Sequence, residues 1–208
     1  MCQQYIEVKK ESVIGDIKIF EVELKARLKT GQIENIEKIL ENTYECQPEV
    51  CVYHDIYFDT TSKNLGGSEK ELRLRKITSN KSETILLTYK EPPFDNISKS
   101  KIEHEVSVNS NEQAIVILEH LGYSADISFE KHCTNFRVVY QSLEIILTLV
   151  RMIELKRDFI EVEVQTAEAN MVTQIYVCLH EFLLGLKVMP DQLTNEYYTD
   201  MVRQARNL

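Results

Sequence analysis

The sequence contains no tryptophan, only six glycines and four prolines, and no long apolar run. Because glycine- and proline-rich stretches mark linkers, their scarcity predicts a single domain over residues 1–208, with 1–16 a loose lead-in and 18–200 the core. The most apolar stretch, Ile145–Val150, is followed by Arg151 and is far shorter than the roughly 20 residues that span a bilayer. The N-terminus lacks the apolar centre of a secretory signal. We therefore expect a cytoplasmic protein that does not associate with membranes.

Disulfide and zinc patterns are also missing. The five cysteines are an odd number and are scattered, which excludes the disulfide framework of a small secreted domain. Cys46 and Cys51 are spaced like half of a zinc site, but no second Cys/His pair stands at a suitable spacing. The histidines show neither the H-x-x-x-H nor the H-E-x-x-H spacing of zinc hydrolases. His132 and Cys133 are neighbours in a predicted strand and point to opposite faces, so we expect Cys133 to be a small buried residue rather than half of a catalytic dyad.

Glycine-rich phosphate loops are absent as well, so any phosphate group must be bound by side chains. The formal net charge of −9 argues against nucleic-acid binding, which requires a positive field. A local cluster of lysines and arginines inside a cleft can still dominate the potential there. The composition is therefore compatible with a small anionic ligand.

Alternating and helical patterns of apolar residues predict the secondary structure. In Phe20–Leu28 every second residue is apolar and the others are charged, which indicates a strand with one charged face. Strands cluster without regular β-α-β alternation, which is typical of an α+β fold with an antiparallel sheet. The predicted strands are Phe20–Leu28, Asp55–Thr60, Glu71–Thr78, Glu83–Lys90, Lys101–Val108, Ile127–Cys133, Phe136–Arg151 (with a break) and Asp158–Gln165, and the predicted helices are Gln32–Glu45, Ser110–Gly122, Ala167–Leu186 and Asn195–Arg206.

Charged residues on alternate positions recur in most of these strands. The carboxylate pairs are Glu21/Glu23, Glu103/Glu105 and Glu161/Glu163, and the cations are Lys25, Arg73, Arg75, Lys90 and Lys131. A single strand of this kind is ordinarily half-buried, with its charged side in water. Repetition over several strands favours the alternative of a closed sheet whose charged faces line a polar lumen. Carboxylates there would suit Mg²⁺ or Mn²⁺, and lysine and arginine would suit a triphosphate.

The order of these motifs resembles the CYTH superfamily, the triphosphate tunnel metalloenzymes, over about residues 18 to 200. The motifs that carry the resemblance are Glu21-Val-Glu-Leu-Lys25, His54-Asp-Ile-Tyr-Phe-Asp59, Leu72-Arg-Leu-Arg75, Leu87-Thr-Tyr-Lys-Glu-Pro92, Ile102-Glu-His-Glu105, Glu130-Lys131 and Asp158-Phe-Ile-Glu-Val-Glu163. The spacing, with Leu121-Gly-Tyr123, is most similar to the class IV adenylyl cyclase branch. The resemblance implies a closed antiparallel eight-stranded tunnel barrel with flanking helices.

The resemblance also implies roles for individual residues. Glu21, Glu23, Glu161 and Glu163 would bind Mg²⁺ or Mn²⁺, and Glu103 and Glu105, on another acidic strand of the lumen, are further candidate metal ligands. The phosphate-binding residues would be Lys25, Arg73, Arg75, Lys90 and Lys131, with Arg75 fitting the family position better than Arg73. The strand with Glu21, Glu23 and Lys25 would be catalytic. Tyr197 and Tyr198 either pack a terminal helix on the barrel or reach the lumen.

Three activities follow from the resemblance, and the sequence separates them poorly. An adenylyl cyclase would convert ATP to cyclic AMP and pyrophosphate, whereas a triphosphatase would hydrolyse thiamine triphosphate or inorganic tripolyphosphate. The third is a catalytically weakened tunnel that binds a nucleotide or polyphosphate. The partner in each is a small triphosphate, not nucleic acid, and a homodimer is the family-level expectation.

Two departures from the family pattern motivate the third activity. Cys133 stands where the family usually has arginine, and Arg151 stands where it usually has aspartate. We consider the hypothesis that Arg151 supplies the phosphate contact missing at Cys133. It requires both side chains to face the same part of the lumen.

Overall fold

A computed structural model describes residues 18–44, 46–93 and 100–207. The predicted lead-in 1–16 and the last residue of the predicted helix Gln32–Glu45 lie outside the described residues. The strands are β1 Ile19–Leu28, β2 Glu49–Asp59, β3 Glu71–Ser79, β4 Glu83–Lys90, β5 Lys101–Val108, β6 Ser124–Tyr140, β7 Leu143–Met152 and β8 Arg157–Thr166. The helices are α1 Gln32–Thr43, α2 Asn111–His120, α3 Val172–Gly185 and α4 Tyr198–Arg206.

The eight strands close into a barrel in the order β1-β5-β4-β3-β2-β6-β7-β8. Every neighbouring pair is antiparallel, and closure comes from β1 pairing with β8 along nearly its whole length. In that pairing Glu23 lies opposite Glu163, and Lys25 lies opposite Glu161. The prediction of an α+β fold with a closed antiparallel eight-stranded barrel is confirmed.

Two strands differ most from their predicted extents. β2 begins at Glu49 rather than Asp55, because its first half pairs with β6 from Asn135 to Lys131. β6 runs unbroken through Cys133 and Phe136, since it pairs with β2 on one side and β7 on the other. The break lies at the turn Gln141–Ser142, where φ is positive at both residues.

The barrel is apolar outside and charged inside, which reverses the usual arrangement of a small closed sheet. On β1, Val22, Leu24 and Ala26 point outward and are buried. They belong to a core that the outer faces of β6, β7 and β8 share with α1 and α3. The other face of β1 therefore turns its charged residues into the lumen, because successive side chains of a strand point to opposite faces.

Two further helices cover the rest of the barrel. Helix α2 is capped by Ser110, whose hydroxyl oxygen accepts a hydrogen bond from the Gln113 backbone N–H at 3.2 Å. This is the ordinary way to satisfy a free N–H at a helix start. Ala114 and Leu118 of α2 pack in one cluster with Leu72 and Leu74 of β3.

Helix α4 packs against side chains that point into the barrel. Tyr198 and Met201 form an apolar cluster with Phe129 of β6 and Phe159 of β8. Both phenylalanines lie two residues from a charged lumen residue, so they share its face. Helix α4 thereby closes the lumen at the end where these phenylalanines lie.

Among the described residues, no helix combines the length and the apolarity needed to cross a bilayer.

Burial on the outer face predicts which substitutions destabilise the barrel. Leu147 of β7 is 0% exposed in the core under α1 and α3. We expect Leu147→Ala to lower the free energy of unfolding by about 2–5 kcal/mol, because it removes apolar burial and leaves a cavity. Val139→Ala, at a 70% exposed position of β6, is the control and should change it by less than about 0.5 kcal/mol. Urea unfolding measures both, and equal effects would contradict this account of the core.

Candidate active site

The lumen is a tunnel of about 920 Å³ lined mainly by polar and charged side chains. It contains the residues that the sequence predicted as ligands, with the exception of Arg151: Glu21, Glu23, Lys25, Arg73, Arg75, Lys90, Glu103, Glu105, Lys131, Glu161 and Glu163. They come from β1, β3, β4, β5, β6 and β8, so only barrel closure brings them together. The predicted convergence of opposite charges in one enclosed space is therefore observed.

Three of the six predicted metal-binding glutamates form a compact cluster. One carboxylate oxygen from each of Glu21, Glu23 and Glu163 lies within 4.8 Å of the others. The pKa of all three carboxyl groups is raised, first by burial. The charges of Glu21 and Glu23 raise the pKa of Glu163 further. Carboxylate oxygens are the ligands that hard divalent cations prefer, so this cluster could hold such an ion.

The other three glutamates have different partners. Glu161 lies 3.5 Å from the Lys131 ammonium, and Glu103 lies 3.4 Å from that of Lys90. Burial alone would raise the pKa of Glu161, but the charges of Lys131 and Lys25 outweigh burial and lower it. Glu105 is exposed at the tunnel wall and accepts a hydrogen bond from the Thr88 hydroxyl at 2.8 Å. Glu161 and Glu103 thus each lie beside a lysine, whereas the partner of Glu105 is a neutral hydroxyl group.

The lysines of the tunnel contact the glutamates, the ring of Tyr198 or both. Lys90 contacts both Glu21 and Glu103. Lys131 is only 3% exposed, and its ammonium lies 4.6 Å from the centre of the Tyr198 ring. The Lys25 ammonium lies 4.5 Å from the same ring. Tyr198 therefore packs α4 on the barrel and also reaches the lumen.

The two arginines of β3 differ in how fully their N–H donors are hydrogen-bonded. Arg75 donates two hydrogen bonds, of 2.6 and 2.7 Å, to the buried carboxylate of Asp55. Burial would raise the pKa of Asp55, but the Arg75 guanidinium outweighs it and holds that pKa well below its usual range. Arg73 is buried beside Thr88 at 3.4 Å, and its Nε has no hydrogen-bond partner among the described residues. The structure thus makes Arg73 the freer guanidinium, although the family pattern favoured Arg75.

Several tunnel residues were not predicted from the sequence. Glu71 and Lys101 form an ion pair in the lumen, and each lies two residues from a predicted ligand, Arg73 and Glu103. The period of two could have identified both. Asp55 was harder to predict, because its pairing with Arg75 depends on the register of β2 against β3.

The hypothesis that Arg151 replaces the cation lost at Cys133 is wrong. Cys133 points into the barrel and is 2% exposed, whereas Arg151 lies on the outer surface with a side chain 52% exposed. Arg151 stands between Val150 and Met152, which face inward, so strand alternation directs it outward. There it pairs with Asp158 at 3.3 Å and Glu34 at 3.5 Å. Arg151 is therefore not a tunnel residue.

Comparison with known proteins identifies the family of this chain. The CYTH domain model matches residues 20–198, and the chain belongs to the CYTH domain family. A Methanocaldococcus jannaschii protein named putative adenylate cyclase is 24% identical over 189 residues, covering 88% of this chain and 98% of its own.

Solved structures share the fold. A Pyrococcus horikoshii protein superposes with a TM-score of 0.74 at 23% identity, covering 88% of this chain and 98% of its own. A Hippeastrum protein, described as a putative adenylyl cyclase with a dominant triphosphatase activity, gives a TM-score of 0.62 at 15% identity. That superposition covers 89% of this chain and 95% of the Hippeastrum chain.

Removing one member of the buried Asp55–Arg75 pair should destabilise the fold. We expect Asp55→Asn to lower the free energy of unfolding at neutral pH by about 3–5 kcal/mol, because it leaves the Arg75 charge uncompensated. Because the pKa of Asp55 is lowered on folding, its contribution is present above the ordinary carboxyl pKa and disappears only in strong acid.

The control for that variant is an exposed pair. Glu144→Gln breaks the surface ion pair of Glu144 with Arg137 and should change stability by less than about 1 kcal/mol. Denaturant unfolding of both variants at neutral pH measures the difference. An Asp55→Asn effect as small as that of Glu144→Gln would contradict the assignment of a buried pair.

Proposed function

We propose that this chain is a metal-dependent enzyme that processes a triphosphate, with ATP as substrate and cyclic AMP and pyrophosphate as products. The observation that carries the proposal is the position of the carboxylate cluster Glu21/Glu23/Glu163 in the same tunnel as the cationic side chains of Lys25, Arg73, Arg75, Lys90 and Lys131. Either charge alone would suit many ligands. A metal–triphosphate complex needs both.

The carboxylate cluster fits Mg²⁺ or Mn²⁺ by its chemistry. Three clustered carboxylates with raised pKa values repel one another, and a divalent cation would relieve that repulsion. Glu21, Glu23 and Glu163 are the residues that would hold the ion. When bound, it would supply positive charge to the phosphoryl oxygens.

The cationic side chains bind and orient the triphosphate in this proposal. Arg73 is the strongest candidate, because its buried guanidinium retains a donor without a partner among the described residues. Buried polar groups are ordinarily hydrogen-bonded, so an unused donor on a side chain that lines a polar tunnel favours an anionic ligand. Lys25 and Lys131 flank Tyr198 and add two more positive charges. Fixed cations of this kind stabilise the charge that develops on phosphoryl oxygens in the transition state.

An apolar part of the tunnel favours an organic triphosphate over an inorganic one. Ile77, Leu86 and Ile146 also line the lumen. Leu86 lies directly opposite Arg75, and Ile146 lies directly opposite Glu163, so the apolar surface adjoins the charged groups. A nucleoside attached to the triphosphate would have apolar contacts there.

In the cyclase reaction the 3′-hydroxyl oxygen of ATP forms a bond to the α-phosphorus. The bond from that phosphorus to the bridging oxygen breaks, pyrophosphate leaves, and the hydroxyl proton passes to solvent or to the leaving group. The name of the Methanocaldococcus jannaschii relative supports cyclisation as the first candidate.

A weakened, mainly binding tunnel is the second candidate. The inward-facing Cys133 carries no positive charge, and Arg151 on the outer surface does not compensate for it. One cation fewer around the phosphates favours slow turnover.

Product analysis tests these possibilities. The purified protein is incubated with Mg²⁺ or Mn²⁺ and, separately, with ATP, tripolyphosphate and thiamine triphosphate. Cyclic AMP and pyrophosphate from ATP support the proposal. Inorganic phosphate from any of the three indicates a triphosphatase, and bound but unchanged ligand indicates a binding protein; either outcome overturns the cyclase assignment.

Substitution of one cluster residue should remove activity without unfolding the barrel. We expect Glu23→Gln to lower turnover on the order of 100-fold or more, since it removes a carboxylate from the proposed metal site. The matched control is Glu130→Gln, an exposed glutamate on the outer face of β6, which should leave turnover unchanged. Steady-state assays measure the turnover of both variants, and circular dichroism checks that both are folded. Full activity in the Glu23→Gln protein would remove Glu23 from the site.

Metal binding should depend on pH. Because the pKa values of Glu21, Glu23 and Glu163 are raised, these groups retain protons at a higher pH than ordinary carboxyl groups. Binding of Mg²⁺ or Mn²⁺ needs their ionised forms, so it should release protons and weaken as the pH falls. Calorimetric titration at one pH in two buffers with different ionisation enthalpies measures the release. Equal binding enthalpies in the two buffers would contradict the prediction.

A further inference from the structure

Two cysteines lie directly opposite each other in the tunnel wall. Cys51 of β2 pairs in register with Cys133 of β6. Residues opposite each other in an antiparallel pair share one face of the sheet, and here that face is the inner one. Cys51 is 3% exposed and Cys133 is 2% exposed, and both are free thiols.

The register satisfies the distance requirement of a disulfide bond. Directly opposed residues of antiparallel strands have Cα atoms about 4.5 or 5.5 Å apart, depending on the type of pair. Disulfide-bonded cysteines have Cα atoms about 4.4–6.8 Å apart. The two strands therefore need not separate or slide for the sulfurs to join.

The surroundings give the two thiols different roles. Cys51 lines the tunnel, and its sulfur accepts a hydrogen bond from the Asn135 side-chain amide at 3.3 Å, an interaction that favours the thiolate. Cys133 does not line the tunnel, and its S–H donates to the Lys131 carbonyl at 3.7 Å. Burial raises the pKa of both thiols, that of Cys133 to about 12, although the Asn135 amide opposes the shift at Cys51 and the Lys131 charge opposes it at Cys133. Because Cys51 lines the tunnel and Cys133 does not, a small oxidant in the tunnel meets Cys51 before Cys133.

We propose that Cys51 and Cys133 form a reversible disulfide across the β2–β6 pair when a hydroperoxide enters the tunnel. The Cys51 sulfur attacks one peroxide oxygen, the O–O bond breaks, and a sulfenic acid and one water or alcohol result. The Cys133 sulfur then attacks the Cys51 sulfur and displaces its oxygen as water, with both thiol protons accounted for. The peroxide is reduced by two electrons and the cysteine pair is oxidised by two.

The other described cysteines do not offer the same geometry. Cys178 belongs to α3, outside the barrel, and Cys46 precedes β2 in the segment between α1 and that strand. Cys46 also lines the tunnel, which makes a Cys46–Cys51 bond the competing product.

The test detects the disulfide bond directly and does not depend on any enzymatic activity. The folded protein is treated with hydrogen peroxide at mildly alkaline pH, blocked with an alkylating reagent and digested without reduction. We expect a Cys51–Cys133 cross-linked peptide, its loss after dithiothreitol, and a higher Tm for the oxidised protein than for the reduced one, because a long loop is closed.

Variants separate this site from general thiol oxidation. Cys133→Ser should abolish the cross-link and leave Cys51 as a sulfenic acid that dimedone traps, whereas Cys178→Ser should cross-link like the natural sequence. A Cys46–Cys51 bond in place of the Cys51–Cys133 bond would overturn the proposal. So would a Cys51–Cys133 bond that forms only after urea unfolds the protein.

Discussion

The structure depends on the compensation of buried charges by one another within a closed wall. An isolated carboxylate or ammonium buried there would strongly destabilise the fold. Each buried charge therefore needs a neighbour of opposite sign. Arg75 with Asp55, Lys90 with Glu21 and Lys131 with Glu161 perform this compensation. Most of the apolar core lies on the outside of the strands, where α1, α2 and α3 cover it, and a smaller apolar cluster inside the barrel packs against α4. A polar interior thus coexists with a stable fold.

Compensation is incomplete at two places in the lumen. Glu23 and Glu163 oppose each other across the β1–β8 pair, and their raised pKa values reflect burial together with neighbouring negative charge. Arg73 supplies the opposite case, a buried cation with an unused donor among the described residues. Such unbalanced groups destabilise the protein by themselves and are typical of sites that bind a charged partner.

Much of the fold and of the candidate site could be predicted, because strand alternation is a local property. The period of two in Phe20–Leu28 correctly placed Glu21, Glu23 and Lys25 on one face, and the repeated motifs predicted a closed barrel. The register between neighbouring strands and the full length of some strands could not be predicted. The pairing of Asp55 with Arg75 depends on how β2 and β3 align, and the continuity of β6 depends on two neighbouring strands. Arg151 shows that a role assigned from motif position can be wrong when the face of the strand on which the residue lies is not considered.

Pairing of the first strand with the last also bears on how the protein is made. β1 carries Glu21, Glu23 and Lys25, yet its partner β8 leaves the ribosome only after the other six strands. Until then a nascent chain exposes an unpaired edge, and the acidic pocket has no opposite wall. Contacts so distant in sequence slow folding, because loop closure must precede the stabilisation they provide. Any chain interrupted before β8 would therefore lack Glu161, Glu163 and one wall of the tunnel.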